Sequence, residues 1–306
     1  MVMNPETIQK LLQAGRIASQ VKHEGAKRLA VPGSSILEIL DYCEKRIKEL
    51  GGQIAWVQYA LNDVAAHSCP TDETADVTKE GDVIKIDIGV HLDGWLADNA
   101  MTAAVGSSNQ YKDLIKASQN ALKAAIKLVR PGAQLRELGA AQYSEAEALG
   151  FTTIRNLGGH TLGRYKVHGG VSIPFYDNGD KTELKEDWQI AIEPFVTTGD
   201  GLVKEKGSAS VFMVARPNAS ARTAYARQIL QQVAPQNGLP FTTRWLTRTI
   251  GKGATLLGLK ELLRTGVITA HPPLAEISGG MVAQFEHSMV VKDKPIVYTR
   301  IEEDKW

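Results

Sequence analysis

One apolar stretch of the chain carries side chains that a core strand does not normally contain. The stretch is KIDIGVHLDGWLADNA, from Lys85 to Ala100, and its titratable members other than Lys85 are Asp87, His91, Asp93 and Asp98. Its other residues are mostly apolar, which indicates strands that are buried on at least one face. Asp93-Gly94 is a strong signal for a two-residue hairpin turn. The sequence therefore predicts two antiparallel strands that are joined at this turn.

The turn determines which residues face each other across the hairpin. If Asp93 and Gly94 form the loop, Asp98 lies opposite Gly89, and Asp87 lies two residues from Gly89 on the same face. We expect Gly89 to leave open space between the two carboxylates. Carboxylates on one buried face repel each other unless a cation lies between them, and oxygen ligands suit a divalent metal. The alternative is that both acids cap turns or face solvent.

Two later segments add candidate ligands in similarly apolar surroundings. The segment NLGGHTLGRYKVHGG holds His160 and His168 among glycines, which allow close approach of the backbone. Glu193 ends the apolar run QIAIE, directly before Pro194. An isolated histidine is usually a core or surface residue, but a lone glutamate at the end of a buried run has no explanation in core packing.

Glu286 lies within a third apolar run, MVAQFEHSMVV at 281–291. Strand alternation puts Glu286 on the face opposite its neighbour His287. The chain thus contains four acids and at least one histidine that are flanked by strand residues. Two metal ions that are bridged by carboxylates would explain how so many acids can be buried. We expect His91 and Asp93, at the hairpin turn, to serve structure instead.

The surrounding elements alternate between helix pairs and strands. Apolar residues at three- and four-residue spacing predict helices at 5–30, 34–50, 110–129 and 134–149. Strand-like segments lie at 54–61, 83–90, 95–104, around 165–173, at 188–197 and within 281–300. This mixture predicts an α+β fold and argues against a doubly wound parallel sheet.

The segment 208–270 differs in charge from the rest of the chain. It has helix-like runs at 220–233, 241–250 and 258–264, and its only acid is Glu261. Its basic residues are Arg216, Arg222, Arg227, Arg244, Arg248, Lys252, Lys260 and Arg264. We expect a helical subdomain inserted into a catalytic domain formed by 1–207 and 271–306. Its basic surface is either an ordinary solvated face or a means of attraction to an RNA-rich surface.

Composition sets limits on location and on partners. The net charge of +1 gives no global signature of polyanion binding. No run reaches the roughly 18 apolar residues of a membrane span, and the first residues do not have the pattern of a secretory signal. Cys43 and Cys69 are the only cysteines, which fits a reducing compartment. We therefore expect a cytoplasmic protein, without membrane association and monomeric.

The order and context of these residues resemble a known family. The relevant segments are LNDVAAHSCP (61–70), DIGVHLDGWLAD (87–98), NLGGHTLGRYKVHGG (156–170), AIEPF (191–195) and AQFEHSMVV (283–291). Together they resemble the methionine aminopeptidases, which belong to the pita-bread metallopeptidases. The segment 208–270, which precedes Glu286, is similar to the insertion of the type II branch, and the short chain is most similar to the archaeal members of that branch.

The resemblance implies a pita-bread fold with a winged-helix-like insertion and two divalent metal ions. Asp87 would bind one ion, Asp98 and Glu286 would bridge both ions, and His160 and Glu193 would bind the other. A carboxylate-rich set with one histidine suits Mn, Fe or Co, and Zn also fits.

The resemblance also implies roles around the substrate. His67 would lie near the scissile amide, His168 would donate a hydrogen bond to the substrate carbonyl, and Glu193 would accept a proton from the attacking water. Val167 is either a wall of the methionine pocket or a small core residue. The type II pattern usually has a Phe-Pro pair before LNDVAAH, where this chain has Ala55-Trp56. Either Trp56 fills the same space, or the pocket differs in shape.

The function implied is removal of the initiator methionine from nascent chains whose second residue is small. A basic insertion would in addition allow association with the ribosome. Two alternatives stay open from the sequence. One is a proline-specific peptidase of the prolidase or aminopeptidase P type, which shares the ligand set. The other is a non-catalytic pita-bread protein that binds ribosomes, RNA or histones, although such relatives typically lose ligands that are all present in this chain.

Overall fold

The computed structural model describes residues 3–304 of the chain. Its helices are α1 (Pro5–Leu29), α2 (Ile36–Glu49), α3 (Lys112–Leu128), α4 (Leu135–Glu147), α5 (Ala224–Val233), α6 (Thr243–Ile250) and α7 (Lys252–Arg264), with a short 3-10 helix at Ala234–Gln236. No helix in the described part of the chain is long and apolar enough to cross a membrane.

The strands within residues 3–304 form five small sheets. They are β1 (Gln53–Leu61), β2 (Val64–Ala66), β3 (Val83–Leu92), β4 (Trp95–Ala104), β5 (Thr152–Thr153), β6 (Gly159–Thr161), β7 (Ser172–Ile173), β8 (Gln189–Ile192), β9 (Phe195–Thr197), β10 (Val203–Glu205), β11 (Val211–Val214), β12 (Phe241–Thr242), β13 (Ile268–His271), β14 (Leu274–Glu276), β15 (Val282–Gln284), β16 (His287–Val290) and β17 (Ile296–Val297). Every pairing between these strands is antiparallel. The α+β prediction is confirmed, and the doubly wound sheet is excluded.

Helix α1 covers the sheet β1-β3-β4 and sets the position of the hairpin. Asn4 caps the helix by accepting a hydrogen bond from the backbone N–H of Thr7 at 2.8 Å, and Pro5 occupies the first turn, where no donor is lost. Leu11, Val21 and Leu29 are fully buried in the core that this helix shares with β3. Helices α3 and α4 cover the second half of the molecule in the same way.

The predicted register of the hairpin is confirmed. Gly89 pairs with Asp98, and Leu92 pairs with Trp95. Asp93 and Gly94 both have positive φ angles, 52° and 84°, as a type I′ turn requires. The turn chemistry therefore fixes which carboxylates share a face of the sheet.

Two strand predictions are wrong. Most of the expected strand around 165–173 is a loop, because Tyr165 and Gly170 adopt positive φ angles that end extended structure, and only its last two residues form β7. The expected continuous strand at 281–291 is interrupted between β15 and β16. At this interruption the backbone N–H of Glu286 donates to the carbonyl of Ala100 on β4.

The segment between β11 and β13 has its own apolar core. Phe212, Ile229, Phe241, Leu246 and Leu262 are buried together there. Helices α5, α6 and α7 lie close to the predicted helical runs, whereas the small sheet β12-β11-β13 was not predicted in full. Three helices with a small antiparallel sheet agree with a winged-helix-like unit. The boundaries at 208 and 270 stay a prediction.

A buried ion cluster joins this segment to helix α2. The guanidinium of Arg244 on α6 is fully buried and contacts the carboxylates of Asp41, at 3.0 Å, and Glu44. The indole N–H of Trp245 also donates to Glu44, at 2.9 Å. Burial raises the pKa of Glu44, and the charge of Arg244 opposes that shift. The segment and helix α2 are thus held together by a cluster of one cation and two carboxylates, and loss of one member leaves a buried charge less well compensated.

We predict that Glu44→Ala lowers the free energy of unfolding by about 3 kcal/mol, because it removes the more deeply buried of the two carboxylates that pair with the buried charge of Arg244. Urea denaturation measures the change. Glu49→Ala, at the exposed end of the same helix, is the matched control, and a loss of less than about 1 kcal/mol is expected there. Equal, small losses in both variants would contradict the importance of the cluster.

Candidate metal centre

The hairpin brings Asp87 and Asp98 onto one buried face, but the space between them is not open as the sequence suggested. The pairing of β1 with β3 shifts between Ile54 and Trp56, so Ala55 forms a bulge and Trp56 lies opposite Gly89. A Cβ atom on Gly89 would lie 2.3 Å from the indole of Trp56. The glycine is therefore required because the ring of Trp56 fills this space.

The indole of Trp56 is also bonded to one of the carboxylates. Its Nε1 donates a hydrogen bond to Oδ1 of Asp87 at 2.7 Å. An indole N–H is a donor only, so Asp87 accepts in this contact. No pattern in the sequence predicts this bond, since it depends on how β1 pairs with β3.

Glu193 and Glu286 lie at two strand interruptions that face each other. Gln284 on β15 pairs with Phe195 on β9, and His287 on β16 pairs with Ile192 on β8. The two pairings have the same register, and its continuation across the interruption places Glu286 opposite Glu193. Pro194 has no backbone N–H, and the ladder is therefore interrupted where the two acids enter the site. The sequence suggested regular strand alternation around Glu286, but the strand is interrupted at this residue.

His160, on β6, completes the cluster. Its Nε2 lies 3.4 Å from Oε1 of Glu193 and 3.6 Å from Oδ2 of Asp98. Ligand atoms of Asp98, His160 and Glu286 all lie within 4.8 Å of one another, and the three residues are buried. Carboxylates and an imidazole at such distances form a set that a divalent cation can bind.

The electrostatics of the cluster agree with a bound cation. Burial, together with the nearby charge of Glu193, raises the pKa of Asp87 to about 7, although the hydrogen bond from Trp56 acts in the opposite direction. Burial and the neighbouring carboxylates also raise the pKa of Asp98 and of Glu286. Among residues 3–304, no hydrogen-bond donor reaches either carboxylate oxygen of Glu286. The residues present therefore fit a divalent metal, which would satisfy these oxygens and relieve the repulsion.

Three more histidines surround the cluster. The ring of His168 lies 4.7 Å from the ring of His160, and the ring of His67 lies 5.8 Å from that of His271, edge to face in both cases. Burial, with a smaller contribution from neighbouring histidines, lowers the pKa of His67 and of His168 to about 4. Both imidazoles are therefore neutral at pH 7, and each can donate one hydrogen bond and accept another.

Sequence reasoning missed His271, which ends strand β13. A lone histidine in TAHPPL has neither a spacing signal nor an apolar run to suggest a site. Only the pairing of β13 with β11 brings it to the cluster. Burial lowers its pKa as well.

A cavity of about 90 Å³ lies over the cluster. Its polar and acidic lining is Gln58, His67, Asp87, Asp98, His160, His168, Glu193 and His271, and its apolar lining is Trp56, Ala66, Val167, Val211, Met213 and Pro240. Val167 packs with Trp56 and Leu162 in a buried cluster, so it belongs both to the cavity wall and to a core. Val211, Met213 and Pro240 were missed because they belong to the basic segment, and only the fold brings them beside lining residues that lie far away in the sequence.

His91 and Asp93 serve structure at the turn, as expected. The Nδ1 atom of His91 accepts a hydrogen bond from the backbone N–H of Gly94 at 3.1 Å, and Asp93 contacts Nζ of Lys10 at 2.7 Å. Neither residue lines the cavity above the cluster.

Comparisons with known proteins identify the family of the chain. The sequence model of metallopeptidase family M24 matches residues 9–293. The methionine aminopeptidase of Pyrococcus horikoshii is 43% identical over 295 residues, which cover 95% of this chain and 99% of that protein.

Solved structures share the fold. The methionine aminopeptidase of Thermotoga maritima superposes with a TM-score of 0.72 at 22% identity, over 98% of this chain and 99% of that one. The prolidase of Pyrococcus furiosus superposes with a TM-score of 0.62 at 17% identity, over 98% of this chain and 66% of that one. The pita-bread fold prediction is therefore confirmed. The family model and a relative of 43% identity each match most of the chain. The chain therefore belongs to metallopeptidase family M24.

Proposed function

We infer that this chain is a metallo-aminopeptidase that removes the initiator methionine from nascent proteins whose second residue is small. The observation that carries this inference is the meeting of Asp98, His160 and Glu286 within 4.8 Å, in a chain 43% identical to a methionine aminopeptidase. Asp87 and Glu193 line the cavity beside this group and supply two further carboxylates.

We propose that the five side chains hold two divalent ions, with Asp98 and Glu286 shared between them. Asp87 would hold one ion, and His160 and Glu193 the other. Bound metal would polarise the substrate carbonyl and make a water molecule more acidic. Mn, Fe, Co and Zn all suit this ligand set.

The protein's own groups would position the substrate and move the proton. Gln284 donates to Oε2 of Glu193 at 3.2 Å, which fixes the carboxylate so that it can take a proton from the attacking water. His67 would lie by the scissile amide. His168, neutral at pH 7, would donate a hydrogen bond to the carbonyl oxygen as negative charge develops there.

The shape of the cavity supports a narrow specificity. Trp56, Val167, Val211 and Met213 give apolar walls that would accept a methionine side chain. The small volume over the acids would exclude a large second residue. The basic segment 208–270, proposed as an insertion into a catalytic domain of 1–207 and 271–306, thus contributes part of the pocket wall.

The enzyme would bind the N-termini of nascent chains in the cytoplasm. It would act as a monomer. Cys43 and Cys69 are both buried free thiols, which supports a reducing compartment. The prolidase fold shares this architecture, so the fold alone does not separate the two specificities, whereas the high-identity relative favours methionine removal.

Chelation should destabilise the protein. Removal of bound metal leaves Asp98 and Glu286 buried beside other carboxylates, so the Tm should fall, and Mn²⁺ or Co²⁺ should restore it. Differential scanning fluorimetry measures both changes. In Glu286→Gln, with one buried charge fewer, the added metal should raise the Tm much less than in the wild type. An identical rise in both proteins would contradict the assignment of Glu286.

Glu193→Gln should lower kcat for Met-Ala-Ser by at least about 100-fold, because the amide cannot accept the proton of the attacking water. Peptide hydrolysis followed by chromatography measures the rate. Glu186→Gln, which changes an exposed acid shortly before β8, is the matched control and should retain full activity. If the wild type cleaved only an Xaa-Pro peptide, the proline-specific alternative would replace the proposal.

We further propose that the basic segment attracts the ribosome. Acids of the neighbouring part of the molecule contact Arg244, Arg248 and Lys252. The positive charges of these three residues are therefore largely compensated within the molecule. Lys260 and Arg264, one turn apart on α7, are exposed. The charge of Arg264 acts on Glu261 of the same helix, but neither cation contacts an acid of the neighbouring part among the ion pairs described for residues 3–304. Exposed cations of this kind can contact phosphates.

Lys260→Glu/Arg264→Glu should reduce co-sedimentation with ribosomes at low salt, because it reverses two charges on the exposed face of α7. The matched control is Lys112→Glu/Lys116→Glu, which changes the same charge one turn apart on the exposed face of α3. Binding by the wild type should weaken as salt rises. No sedimentation of the wild type at low salt would remove the ribosome proposal without affecting the peptidase.

A further inference from the structure

We propose that Trp56 is a positioning residue for Asp87 and that its hydrogen bond sets the affinity with which Asp87 holds a divalent ion. The proposal rests on the metallopeptidase function proposed above. It concerns a position at which the chain departs from the usual Phe-Pro pair, neither member of which has a side-chain donor.

Trp56 begins the part of β1 that pairs regularly with β3. From Trp56 to Leu61 one register holds, with Trp56 opposite Gly89 and Gln58 opposite Asp87. Alternate strand residues share a face of the sheet, so the indole lies on the face that carries Asp87 and Asp98. The bulge at Ala55 offsets only the residues that precede it, whereas a slip of one residue in the regular part would turn the indole away from the carboxylate.

The packing leaves the indole little freedom to move. Trp56 is 4% exposed and lies in a buried cluster with Leu96, Leu162 and Val167. Gly89 is directly below the ring, where no side chain would fit. A ring that is held in this way keeps its Nε1 at 2.7 Å from Oδ1 of Asp87.

The hydrogen bond leaves Oδ2 of Asp87 as the oxygen available to a cation. The bond fixes the plane of the carboxylate before any ion binds. The entropic cost of ordering this ligand is therefore not incurred during ion binding. Groups that orient a metal ligand typically change the metal affinity by about 10- to 100-fold when they are removed. Loss of the indole donor should therefore weaken the binding of one of the two ions.

Trp56→Phe tests this proposal, because it keeps an aromatic ring and removes the donor. Calorimetric titration of the chelator-treated protein with Mn²⁺ should show one ion bound about 10-fold or more weakly than in the wild type. Trp95→Phe, in the same hairpin and without a contact to an acid of the cluster, is the matched control and should bind as the wild type does. In an Asp87→Asn background, Trp56→Phe should have little further effect, since the two residues act together.

Unchanged Mn²⁺ affinity in Trp56→Phe would overturn the proposal, as would an equal loss in Trp95→Phe. If Trp56→Phe does not fold, Gly89→Ala offers a second route, because its methyl group would displace the indole from Asp87; unchanged affinity there would also overturn the proposal. Absence of Mn²⁺ and Co²⁺ binding in the wild type would instead contradict the metallopeptidase function itself, so the two failures are distinguishable.

Discussion

Mutual repulsion among buried carboxylates is the constraint on which the centre of this molecule depends. Asp98 and Glu286 are nearly fully buried, and the pKa of each is raised by burial and by the other acids. Such groups cannot all ionise together in an apolar interior unless a cation lies between them. Membership of a metallopeptidase family and the lack of a donor to Glu286 within the described residues lead to the same conclusion: the fold is arranged around bound metal.

Two features of the sheets bring these acids together, and a third feature shapes the cavity above them. A type I′ turn sets the register that pairs Gly89 with Asp98, and facing strand interruptions place Glu193 opposite Glu286. The third feature is the basic segment, which buried Arg244 holds against α2 and which supplies residues of the cavity wall such as Met213. The cluster of carboxylates thus depends on sheet register, and the cavity above it depends on how the segment is attached.

The parts that could be predicted from the sequence are those governed by local rules. The register of the hairpin followed from Asp93-Gly94, and a resemblance carried by several motifs indicated the pita-bread fold. The space at Gly89 was judged wrongly, because the pairing of β1 with β3 cannot be read from composition and places Trp56 in that space. His271 was missed for a related reason: its neighbours lie far along the chain, and only the pairing of β13 brings it to the site.

The most direct measurement of the central claim is the number of protons released when Mn²⁺ binds to the chelator-treated protein at pH 6.5 in weak buffer. Raised pKa values keep some of the clustered carboxyls protonated without metal, so binding should expel at least about one proton per chain. Ordinary carboxyl pKa values would give almost none at this pH. Tight binding without proton release would show that the acids are not held in mutual repulsion, and would contradict a fold arranged around bound metal.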